Sequence, residues 1–175
     1  MSKKTIRLTL TPDSIGAAIR EYAAWRKDIE SKTKEFVQAL AEEGVEVARV
    51  GFSEAVYDGT NDVTCHVEKK DDLTSAVVAT GNAVLFIEFG SGITYNNFHP
   101  EAEDLGMERG EYGYKLGRLP EWRYSGEPGT NGEVITTGPH TGQIKTRGNP
   151  ANMAMYNAKA DLENRFAEIA RRIFA

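Results

Sequence analysis

Two short signatures bracket a long stretch that cannot be regular secondary structure, and this pairing limits the possible folds more than any bulk property. The first runs from Val84 to Ile93, an apolar run ending in Gly90-Ser91-Gly92-Ile93. The second runs from Gly148 to Ala158, where Gly148-Asn149-Pro150 opens an amphipathic helix that reaches the C-terminus. Most of the prolines and glycines lie between the two. Residues 90–148 show no sustained hydrophobic period, yet they carry Tyr95, Phe98, Tyr112, Tyr114, Trp122 and Tyr124. Disordered segments are poor in aromatics, and long excursions from a compact domain usually serve binding. An ordered arm is therefore expected to leave a sheet edge and return to a helix.

The flanking segments have clear periods. Thr5 to Thr11 alternates, with Ile6, Leu8 and Leu10 on one side, and reads as a half-buried strand. Thr11-Pro12-Asp13 is a helix start: a capping hydroxyl, a proline in the first turn and an acid beside the helix dipole. Ile15, Ala18, Ile19, Tyr22 and Trp25 then share a stripe that continues through Ile29, Phe36, Val37, Leu40, Gly44 and onward to Phe52. This is either two helices broken near 28–32 or one long bent helix. A helix over 31–55 alone would be about 37 Å long, more than a compact domain needs, which suggests packing on neighbouring subunits. After a turn cluster at 57–62, three strands are expected: 63–69, 73–80, and the nearly all-apolar 83–89 as the central one. Gly81-Asn82 would join the last two as a hairpin. A final helix carries Met153, Tyr156, Ala160, Phe166, Ile169 and Ile173 on one stripe. The expected fold is α+β in a single domain over 1–175. Long N-terminal and C-terminal helices pack on a small, mainly antiparallel sheet, with the 90–148 excursion as an arm.

Bulk properties exclude several roles. The chain has 175 residues and a formal charge of −5, without the clustered basic face that phosphate binding requires. Its one cysteine, Cys65, forbids an internal disulfide. No apolar run approaches the roughly 20 residues of a membrane span, and the start of the chain lacks the apolar core of a secretion signal. Synthesis inside the cell is expected.

Catalytic constellations are weak. Cys65 and His66 are neighbours on a strand and face opposite sides; with His99 and His140 they fall short of a zinc site, which needs three or four ligands. Ser91 lacks the Gly-x-Ser-x-Gly frame and the following helix of a nucleophile elbow. Glu88 interrupts an apolar run, so if buried it must be paired or neutral; a structural or intersubunit salt bridge is the expected role. No metal or other cofactor is expected. A metal-dependent or acid–base hydrolase using the excursion as a lid, with His99, His140 and Glu88, is the alternative. The aromatics around Trp122, Arg123 and Tyr124 either pin the excursion to its own domain or anchor another protein.

Taken in order, several segments resemble one protein family. They are the Tyr57-Asp58-Gly59-Thr60-Asn61-Asp62-Val63 turn, Phe86-Ile87-Glu88-Phe89-Gly90-Ser91-Gly92, His99-Pro100, Trp122-Arg123-Tyr124, Gly148-Asn149-Pro150-Ala151 and Met155-Tyr156-Asn157-Ala158. The chain resembles the small neck or tail-completion proteins of tailed bacteriophages and prophages of Gram-positive bacteria. The resemblance implies a structural virion protein without catalysis, forming a hexameric or dodecameric ring at the head–tail interface. Its implied partners are a head-closure or connector protein on one side and a tail terminator or tail tube protein on the other. DNA would pass through without specific binding, and no membrane is involved. The candidate interface residues are then Glu88, Phe89, Tyr95, Phe98, Tyr112, Tyr114, Trp122, Arg123 and Tyr124.

Overall fold

The computed structural model describes residues 4–95, 98–107 and 120–175. Tyr112 and Tyr114 lie outside the described residues. The architecture is α+β, dominated by α1 (Pro12–Ser53), a single helix of 42 residues, about 63 Å long. Thr11 accepts a hydrogen bond from Ser14 N at its start. There is no break at 28–32, where i,i+4 ion pairs Arg26–Glu30 and Asp28–Lys32 support the helix instead.

The hairpin β1 (Thr64–Lys69) and β2 (Ser75–Thr80) pairs antiparallel, Thr64 opposite Thr80 and Lys69 opposite Ser75. It lies on the second half of α1. The last helix, α3 (Ala154–Phe174), runs antiparallel along α1. Ala154 meets Gly51, Leu162 meets Gly44, and Phe166 and Phe174 meet Phe36. Arg165 and Glu43 pair across the seam. Gly44 sits where α1, α3 and β2 converge; a methyl there would lie 2.9 Å from both Leu162 Cδ1 and Val77 Cγ2. The residues of α1 that are buried begin only at Ala41 and end at Phe52.

Two expected strands are corrected. Residues 5–11 form no strand. They lie beside the start of α1 without regular structure, held by Lys4–Glu21 and by Thr9 N donating to Ser14 Oγ, and leave Leu8 and Leu10 exposed. Alternation alone does not make a strand without a neighbour to pair with. Val84–Phe89 is a short helix, α2, rather than a central strand. The cause lies upstream: the Asp62 carboxylate accepts from Asn82 N and Ala83 N, capping the turn. Gly81-Asn82 is therefore a link into a helix and not a hairpin.

Within the excursion, β3 (Trp122–Tyr124), β4 (Glu133–Val134) and β5 (Ile144–Thr146) form a small antiparallel sheet in the order β3-β5-β4. It is anchored to its own subunit. Thr130 N donates to Tyr57 O at 2.9 Å, Asn131 N to Asp58 Oδ1 at 2.8 Å, and Thr146 Oγ1 to Asp58 Oδ2.

Candidate functional site

The two sequence signatures clasp each other. Short α2 ends at Gly90, whose φ of +80° suits glycine; a methyl there would lie 2.6 Å from Ala151 N. The carbonyls of its last turn are satisfied by the second signature. Asn149 Nδ2 donates to Phe86 O, Asn152 N to Ile87 O, and Met153 N to Glu88 O. Ser91 and Asn149 exchange backbone hydrogen bonds at 2.9 and 3.2 Å, and Ser91 Oγ donates to Asn149 Oδ1. Asn152 bridges to both N and O of Val56, tying the clasp to the end of α1.

Glu88 closes it from the other side. Its carboxylate is buried and accepts from Met155 N at 2.8 Å and Tyr156 N at 3.0 Å, so it caps the first turn of α3. His99 Nε2 lies 3.1 Å from Glu88 Oε1. The His99 Nδ1 accepts from Glu101 N, so the ring proton sits on Nε2 and is donated to Glu88. Phe89 and Tyr156 enclose the imidazole, with ring centroids 4.5 and 5.4 Å away. Glu88 and His99 are 5% and 2% exposed, and both carboxylate oxygens are engaged. Such a pair holds structure; it has no open face for substrate or water.

The expected interface residues thus separate. Glu88 and Phe89 turn inward, and Glu88 finds its partner within the subunit, as a hydrogen bond from neutral His99 rather than the expected salt bridge. Trp122 and Tyr124 are half-buried in a cleft of about 300 Å3 that also includes Tyr57, Asp58 and Phe86. The Trp122 ring packs on Gly92 and Gly148. The Tyr124 hydroxyl donates to Glu127 O, and burial, with Asp58 and Tyr57 nearby, pushes its phenol up to about 12. Tyr95 is half-buried and its hydroxyl accepts from Asn131 Nδ2. Phe98 and Arg123 are exposed. His140 stands exposed in a turn, while His99 is sealed against Glu88, so the hydrolase candidates are not assembled as one set. Among the described residues no three His, Cys, Asp or Glu side chains group to hold a metal, and no helix is long and apolar enough to cross a membrane.

Sequence reasoning missed Asp58, Asp62, Asn149 and Asn152 as organising residues. Their signal was present as short polar side chains in turn segments, where Asn and Asp bond nearby backbone.

Comparison with models of known families, with characterised proteins and with solved structures gives no match.

Proposed function

We propose that this protein is a structural subunit of the neck of a tailed bacteriophage. It would form a hexameric or dodecameric ring at the head–tail interface, between a head-closure protein and a tail terminator or tail tube protein. One observation carries the reading: the first half of α1 runs past the rest of its own subunit with large apolar residues exposed, Ile19 at 63% and Tyr22 at 54%. A helix of that kind needs other chains to cover it. The interior supports the same reading, because the buried Glu88–His99 pair is consumed in holding α2 to α3. The net charge of −5 suits a passage that DNA must cross without being retained.

Deletion of this protein from the phage that encodes it is the test. The expected outcome is filled heads and free tails in separate fractions, with joining restored by the protein supplied in trans. Fully joined, infectious particles made without it would overturn the reading.

A further inference from the structure

Among the described residues, the stripe that α3 covers on α1 continues uncovered toward the N-terminus. Cover ends at Phe36, where Phe166 and Phe174 stack against it with centroids 5.0 and 5.8 Å away. Residues 12–32 extend beyond, about 30 Å of helix and the same number of residues as α3 itself. Ile15, Ile19, Tyr22 and Trp25 are 42%, 63%, 54% and 38% exposed on this face. The chain's own leading segment does not cover them, since it leaves Leu8 54% and Leu10 92% exposed.

The spacing of this stripe identifies its occupant. Ile15, Ile19, Tyr22, Trp25 and Ile29 are separated by four, three, three and four residues, a pattern that reads the same in both directions. Two copies laid antiparallel about Tyr22 bring Ile15 level with Ile29 and Ile19 level with Trp25, while Tyr22 meets itself. Arg26, the basic residue that borders the stripe, comes level with Ala18, so it meets no like charge and has a small neighbour beside which to lie. The segment also carries four basic residues (Arg20, Arg26, Lys27, Lys32) and four acidic ones (Asp13, Glu21, Asp28, Glu30), so two copies do not repel.

We infer that residues 12–32 form a self-association surface that pairs antiparallel with the same segment of a second copy, on a two-fold axis at Tyr22. This is an isologous contact; it uses the same uncovered stripe that supports the neck reading, but it is read in solution on the purified protein, so its failure and the failure of that reading are told apart.

The test uses the full chain with Cys65→Ser as background and a short thiol-specific cross-linker. Ala18→Cys and Arg26→Cys are each expected to give little cross-linking alone and efficient cross-linking when mixed. Tyr22→Glu should raise the dissociation constant, followed by sedimentation, roughly 30-fold or more, as for an aromatic at an interface centre, with the helical circular dichroism retained. A protein that stays monomeric up to roughly millimolar concentration, the weak limit of specific association, would overturn the inference. So would Ala18→Cys linking to itself as well as to Arg26→Cys, or association unchanged by Tyr22→Glu.

Discussion

Glu88 shows how much one buried carboxylate can organise. Three donors converge on it, Met155 N, Tyr156 N and His99 Nε2. A glutamine of the same shape turns one oxygen into a donor, which must then face an N–H in either amide orientation. Glu88→Gln is therefore expected to destabilise the fold by about 2–3 kcal/mol, measured by urea unfolding at neutral pH. A loss under about 0.5 kcal/mol, the range of ordinary surface changes, would show that the carboxylate is not the clasp. That Glu88 needed a partner was legible in the sequence, because a lone acid in an apolar run cannot stay buried and unpaired. That the partner is His99 of the same chain was not, since nothing local in the sequence brings His99 back against α2. Tyr124 offers a second test. The folded chain holds its phenolic proton up to about pH 12, whereas unfolded tyrosines ionise near 10. The stability this group contributes is complete below about pH 10 and is lost as pH rises toward 12. Between these limits the urea midpoint should fall more steeply for the native chain than for Tyr124→Phe, and equal slopes would refute the assignment.

At the scale of elements, the two long helices were legible and the sheets only partly so. Long stripes of period 3.6 marked α1 and α3, and the alternation of Val63, Cys65 and Val67 marked β1. Residues 84–89 misled because a short apolar run fits a buried strand and a buried helix equally; the capping by Asp62 decides, and that contact spans 20 residues of sequence. The α1–α3 seam supplies the sharpest prediction here. A methyl at Gly51 would stand 2.9 Å from Ala154 Cβ and 3.1 Å from Ala154 Cα. Alanine is the better helix former by roughly 1 kcal/mol, but here overpacking outweighs propensity. Gly51→Ala should lower stability by about 1–3 kcal/mol. Gly16→Ala meets only Arg20 Nη1 at 3.6 Å and should leave the global unfolding midpoint unchanged. Thermal unfolding of the two variants side by side separates crowding from propensity.

Across the whole molecule, the folded body and the assembling part occupy different lengths of the same helix. Everything that makes a core lies from Thr33 onward: Phe36 under α3, the buried Ala41–Phe52 stretch beneath the hairpin, and the α2–α3 clasp at its far end. The excursion, which the sequence left free to pack on its own domain or on a partner, is pinned to its own subunit in its described parts by Tyr57, Asp58 and Asn149. The sequence could show that an aromatic arm was ordered but not which surface ordered it, because Trp122 and Tyr124 suit an internal cleft as well as an interface. The long apolar stripe, by contrast, was legible, and its lack of a partner among the described residues appears only when α3 is seen to stop at Phe36. Removal of residues 1–31 should therefore cost the body little. Helix fraying at a new start near Thr33 involves one turn, and no buried side chain is lost. The unfolding midpoint should stay within about 4 °C of the full chain, less than the shift from 2 kcal/mol in a body of this size, while self-association disappears. A truncated protein that unfolds far earlier would mean that the projecting half of α1 supports the body directly, and one that still associates would move the contact to another face.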